Sequence, residues 1–250
     1  MRAALVLLHG FTQTRQSWRR TVRALGGRYR ALAVDLPGHG QAAHRPAGFD
    51  ACAAHVRALT PGSFTLAGYS MGGRVALYAA LALRGRVERL VLIGASPGLA
   101  DAAERAERRR ADAALAARIE AIGVEAFARE WAAQPLLAGQ PPRVAAAAHA
   151  DRLRNTAPGL AAAVRGLGTG VMPSLWDRLG ELSMPVTLVA GERDEKFRAI
   201  AETMAARLPD PRLVVVPGAG HAVQLEAPEA VAAVLAARHQ SGSRSSSGSP

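Results

Sequence analysis

Six short apolar runs recur along the chain, at residues 4–8, 29–34, 63–67, 87–93, 186–190 and 212–216. They are nearly continuous rather than alternating, which is the pattern of strands covered on both faces. Between them the apolar period lengthens to that of a helix. Phe197, Ile200, Met204 and Leu208 fall three or four residues apart. In the last such segment Pro228 suits a first helical turn, and Val231, Val234 and Leu235 make the stripe to be buried. Strands separated by helices predict parallel βαβ units, hence an α/β protein with a doubly wound, mostly parallel sheet.

One segment departs from this rhythm. Residues 101–182 show Ala-rich helical pattern broken by Pro135, Pro141, Pro142, Pro158 and Pro173, and no strand. That is too long for a loop in a compact domain, so a helical cap inserted into the sheet domain is expected. The predicted organisation is a core from 1–100 and 181–240, a cap at 101–180, and a low-complexity tail, SGSRSSSGSP, disordered at 241–250. At the other end the apolar run leads straight into His9-Gly10-Phe11 without a small-residue cleavage site, and reads as a strand rather than a signal peptide.

Composition narrows the function classes. The 250 residues are 49% apolar, which excludes a wholly disordered chain. No apolar run approaches the roughly 18 residues of a membrane span, so no membrane insertion is expected. Cys52 is the sole cysteine, which rules out an internal disulfide framework and suits a reducing, cytoplasmic setting. The net charge of +11 is concentrated in residues 1–100, where 13 Arg face only Asp35, Asp50 and Glu88. Lys196 is the only lysine, and dominance of Arg and Ala points to GC-rich coding rather than a nucleic-acid footprint. No aromatic-interleaved basic stretch and no zinc-ligand spacing accompany the charge, so no nucleic-acid partner and no metal are expected. The field would still draw small anionic substrates.

Candidate chemistry begins at Gly68-Tyr69-Ser70-Met71-Gly72, between a predicted strand and a predicted helix at 72–83. Glycines permit a cramped turn there that lifts the Ser70 hydroxyl above the sheet edge, beside the amides of a helix N-terminus. A hydroxyl needs a base and the base an orienting group. His221, in the loop Pro217-Gly218-Ala219-Gly220-His221, and Asp194, in Gly191-Glu192-Arg193-Asp194, each follow a predicted strand. Their order, Ser, Asp, His, is the one this arrangement uses, with Glu192 the competitor for the Asp194 role. The backbone amides of Phe11 and Met71 would form an oxyanion hole. Asp35-Leu36-Pro37-Gly38-His39-Gly40 reads as structural turn chemistry, and His55 and His149 as helix residues, with His239 near the tail.

These residues resemble the α/β-hydrolase superfamily over nearly the whole chain. Finer matches resemble its 2-succinyl-6-hydroxy-2,4-cyclohexadiene-1-carboxylate synthase (MenH) family. They are GYSMGGR at 68–74, SPGL at 96–99, ERAERRRAD at 104–112, LGTG at 167–170, PSLWDRL at 173–179 and GERDEKF at 191–197. The resemblance implies an α/β-hydrolase fold and a lyase that eliminates pyruvate in menaquinone biosynthesis. Ser70 would act as a base activated by His221 and Asp194, without metal or organic cofactor. The implied substrate is a small tricarboxylate, which calls for arginine forks. By motif position these are Arg74, Arg108 and Arg154, the last with Arg152 as rival, while Tyr69 and Trp131 match positions that line the pocket. Arg108 also has a plainer reading, because Glu104 precedes it by four residues and the pair would suit a solvated helix face. Trp18 and Trp176 read as core packing.

The chain departs from the family pattern at Met172 and Gln224, where the family often has Gln and His, and the sequence begins at the strand expected before HGF, without the extra N-terminal strands common in the superfamily. A serine hydrolase of esters or carbon–carbon bonds is the alternative function, and a non-catalytic binding protein a third. No partner chain is implied beyond a monomer or weak homo-oligomer.

Overall fold

A computed structural model describes residues 2–237. The tail at 241–250, expected to be disordered, and His239 lie outside these residues. Six strands form one parallel sheet: β1 (Ala4–Leu8), β2 (Arg30–Val34), β3 (Phe64–Tyr69), β4 (Val87–Ile93), β5 (Val186–Gly191) and β6 (Pro211–Val216). Their spatial order is β2-β1-β3-β4-β5-β6. Each predicted apolar run is a strand, with ends moved by no more than two residues.

The sheet is covered on both faces, as continuous apolar strands require. In β1, Val6 and Leu8 pack on one side with Leu66, Leu77 and Leu92, while Leu5 and Leu7 pack on the other with Trp18, Ile93 and Val231. The helices making these layers are α1 (Arg19–Ala24), α2 (Phe49–Ala58) and α3 (Met71–Ala82) in the first half of the chain. Between β4 and β5 come α4 (Ala102–Ala132), α5 (Pro142–Arg152) and α6 (Ala157–Leu167), with no strand among them. After β5 follow α7 (Glu195–Ala205), the single turn α8 (Val223–Glu226) and α9 (Pro228–Ala236), which opens on its proline. α4 bends at Gly123, whose φ of 76° is not helical. α4 and α6 share a small core of their own, built on Ile119, Phe127, Leu160 and Val164. No described helix is long and apolar enough to cross a membrane.

The strand order sets where a ligand can sit. After β1 the chain turns toward β2, and after β3 it turns the opposite way toward β4, so the loops beyond β1 and β3 part and leave a crevice at the strand C-termini.

Candidate active site

Ser70 stands in that crevice, at the junction of β3 and α3, with φ of 51°, a left-handed conformation unusual for a residue with a side chain. Gly68 makes this turn possible, because a Cβ there would overlap the backbone of Gly72 and Gly73. His221 Nε2 accepts from Ser70 Oγ at 3.2 Å, and its Nδ1 donates to Asp194 Oδ2 at 2.6 Å. His221 and Asp194 are 3% and 6% exposed, so this row of hydrogen bonds is shielded from water except at the serine end. Asp194 also caps α7 by accepting from Phe197 N. Glu192, the competitor, is turned away and accepts from Gly218 N at 2.8 Å. It is therefore Asp194 that meets the histidine.

Two spaces adjoin Ser70. The larger, about 430 Å³, is lined by Phe11, Met71, Arg74, Arg108 and Trp131, among others. Arg74 is braced there, donating to Thr169 Oγ1 at 2.8 Å and to the Leu167 carbonyl at 3.0 Å. Burial, with the charge of Arg108 adding to it, lowers its pKa to about 10, so it remains a cation at neutral pH. Arg108 has one side tied to Asp112, its Nε donating to Oδ1 at 2.7 Å, and the rest of its guanidinium is half-exposed. Its acidic partner is thus Asp112, four residues later, and not Glu104. Asp112 also accepts from Gly170 N at 3.0 Å, which uses up its charge within the wall of the cavity.

The smaller space, about 90 Å³, lies on the His221 side and is lined by Tyr69, Trp131 and Arg152. Tyr69 is buried, and burial together with the nearby Asp194 pushes its hydroxyl pKa up, leaving it a hydrogen-bond donor. Arg152 is 4% exposed and its Nε has no partner among the described residues. Arg154 is not here. It is exposed, lies 3.8 Å from Asp151 and lines a different cavity. Of the two rivals it is therefore Arg152, the last residue of α5, that borders the space beside Ser70, while Arg154, two residues beyond the helix, does not. Trp176 packs against the core, as expected, and its other side lines the larger cavity, its Nε1 donating to the Gly98 carbonyl at 3.0 Å, whereas Trp18 is fully buried in the core.

Motif reading passed over Lys196 and Phe197, which both line the larger cavity. A signal was available, since the chain's one lysine stands two residues after Asp194. With Lys196 the cavity holds three cations against Glu104 and Asp112.

The loop carrying Gly10 and Phe11 is held from below by two buried histidines. His9 Nε2 accepts from Leu36 N and its Nδ1 donates to the Gly10 carbonyl, both at 2.9 Å. His39 Nε2 accepts from Thr12 N at 3.3 Å and its Nδ1 donates to the Pro37 carbonyl at 3.1 Å. Each ring must be neutral to make both bonds. Burial lowers the pKa of His9 to about 4, and burial with the neighbouring His9 lowers that of His39 to about 3. Unfolded, both bind protons near pH 6.5. The contribution is therefore intact above pH 6.5 and is lost as pH falls toward the folded values, at about 1.4 kcal/mol per pH unit for each group. The thermal midpoint should drop steeply between pH 6 and pH 4.5, and the drop should be shallower in His39→Gln. Parallel curves for the two proteins would contradict this.

An alpha/beta hydrolase family profile matches residues 5–234. The chain is 37% identical to the 2-succinyl-6-hydroxy-2,4-cyclohexadiene-1-carboxylate synthase of Escherichia coli O7:K1, over 93% of this chain and 92% of that one. It is 39% identical to a Bacillus subtilis (strain 168) protein that carries the same name provisionally, over 90% and 86% of the two chains. Among solved structures, MenH from S. aureus superposes with a TM-score of 0.88 at 33% identity, over 93% of this chain and 91% of that chain. The chain belongs to the alpha/beta hydrolase family and, within it, to the 2-succinyl-6-hydroxy-2,4-cyclohexadiene-1-carboxylate synthase (MenH) family.

Proposed function

We propose that the chain is a 2-succinyl-6-hydroxy-2,4-cyclohexadiene-1-carboxylate synthase, a lyase of menaquinone biosynthesis. It eliminates pyruvate from 2-succinyl-5-enolpyruvyl-6-hydroxy-3-cyclohexene-1-carboxylate. The observation that carries this reading is the presence of Arg74 and Arg108 in the same cavity as Ser70. A substrate with three carboxylates needs such cations, and an ester hydrolase does not.

In this reading His221 takes the Ser70 proton as Ser70 Oγ removes the ring proton next to the succinyl ketone. The enolate oxygen that develops is held by the amides of Phe11 and Met71, and electrons then move through the ring alkene to expel enolpyruvate. The His221 cation, stabilised by Asp194, returns its proton to the leaving group. Acid–base groups alone suffice, without a cofactor. Tyr69 and Trp131 border the site, and the helices of 101–180 act as a cap, since Arg108, Trp131 and Arg152 all come from them. The enzyme would work in the cytoplasm on a small anionic substrate.

The test is pyruvate release from freshly generated enolpyruvyl substrate, with a p-nitrophenyl ester assay in parallel. Release well above the uncatalysed background, with feeble ester cleavage, is expected. Background pyruvate with brisk ester cleavage would transfer the site to the hydrolase reading, which the same Ser70, His221 and Asp194 geometry could serve. A paired substitution tests the placement of the arginines. Arg152→Ala should lower kcat/KM by about tenfold to a hundredfold, the range for removing one buried charge-assisted bond of 1.5–3 kcal/mol. Arg154→Ala should leave it within about twofold of wild type. Equal losses would contradict the assignment.

A further inference from the structure

A second cavity, about 410 Å³, opens between α1, α5 and α8 and shares no lining residue with either space beside Ser70. Arg19, Arg20 and Arg23 of α1 line it, together with Arg154 beyond the end of α5. The pyruvate-lyase reading gives these four arginines nothing to do. Arg20 is partly occupied, its guanidinium donating to Glu229 Oε1 at 3.2 Å across an exposed surface. Arg19 and Arg23 make no ion pair among the described residues. They stand four residues apart, so two like charges share one helix face, an arrangement that disfavours the helix unless an anion lies between them.

The acidic group nearby does not supply that anion. Asp151 lines the cavity, but its Oδ2 accepts from Thr14 N at 2.9 Å and its Oδ1 from Thr14 Oγ1 at 2.5 Å. Its remaining reach is to Arg154, at 3.8 Å. The other lining is different in kind. Ala147, Ala148, Ala150 and Leu225 give an apolar surface beside the arginines. The volume falls in the range of small-molecule sites. Guanidinium forks bind carboxylates bidentately, and the apolar surface would take a short carbon skeleton.

We infer that this cavity is a second anion site, which binds a small organic polycarboxylate independently of the Ser70 cavity. Titration calorimetry at low ionic strength tests it, with citrate and inorganic sulfate as probes, on the wild type, on the double variant Arg19→Ala/Arg23→Ala and on Arg74→Ala. The α1 arginines are exposed, so the double variant should fold and keep its basal turnover, and its circular dichroism checks this. Citrate is expected to bind saturably, at least tenfold more weakly to the double variant than to wild type. That component should persist in Arg74→Ala, and sulfate should bind at least tenfold more weakly than citrate. Citrate binding that is absent, that is unchanged in the double variant, or that is abolished by Arg74→Ala alone would overturn the second site. Equal affinity for sulfate would overturn its preference for an organic ligand.

Discussion

Replacing Ser70 with alanine should reduce pyruvate release by about a thousandfold or more while leaving substrate binding close to wild type. General acid–base catalysis by a positioned group contributes roughly 10²–10⁴-fold, and a thousandfold loss is about 4 kcal/mol of barrier. Ser70 lines the 430 Å³ cavity and its Oγ hydrogen-bonds His221. Binding should survive because Arg74 is held by Thr169 and Leu167, and Arg108 by Asp112, while the Ser70 hydroxyl bonds to His221. The effect should therefore fall on kcat and scarcely on the dissociation constant for substrate, read by single-turnover kinetics. A variant that keeps a tenth of wild-type turnover would remove Ser70 from the proton-transfer role and leave the arginine cavity to be explained by another base.

A large effect on stability is expected at Gly72, in the first turn of α3. A Cβ at that position would overlap the carbonyl oxygens of Leu8 and His9, which belong to the end of β1 and the loop beyond it. The obstructing atoms are backbone and cannot swing aside as a flexible side chain would. Gly72→Ala should cost about 3 kcal/mol, the upper end for overpacking, and lower the thermal midpoint by roughly 6–12 °C for a chain of this size. Gly180 is the control: a Cβ there meets nothing within 4 Å, so Gly180→Ala should melt near the wild type. If Gly72→Ala melts within about 2 °C of wild type, β1 and α3 do not approach as closely as described. The same substitution should damage the site, because the loop it displaces carries Phe11 while α3 carries Met71.

What could be read from the amino-acid order depended on how local each signal was. The strands announced themselves because burial on both faces of the inner ones leaves few polar positions to confuse the pattern. Even β6 was readable, although Leu213 and Val215 are partly exposed, because its apolar run is unbroken. Ser70, Asp194 and His221 each sit in a short Gly-rich turn directly after a strand, so a few neighbours suffice to place them. The arginines were different. Arg152 closes α5 and Arg154 lies just beyond it, so which of them borders the site depends on how the chain leaves the helix, and the partner of Arg108 depends on which of two carboxylates, four residues before or after it, turns inward. Trp176 shows a related limit: that its indole packs on the core follows from its apolar neighbours, but that it also walls the cavity depends on tertiary packing. Such questions are decided by tertiary packing, and a linear pattern does not contain it.

The bracing of Arg74 also bears on the entropy of recognition. A free arginine surrenders up to about 2 kcal/mol of rotamer freedom when it is pinned against a ligand. Arg74 has already surrendered much of it, because Thr169 and the Leu167 carbonyl hold its guanidinium. That cost was met during folding, so under the proposed function a substrate carboxylate would meet a rigid fork rather than a searching one. Rigidity also narrows what is accepted: a carboxylate displaced by an ångström cannot be followed, and anions of the wrong length are turned away by geometry as much as by charge.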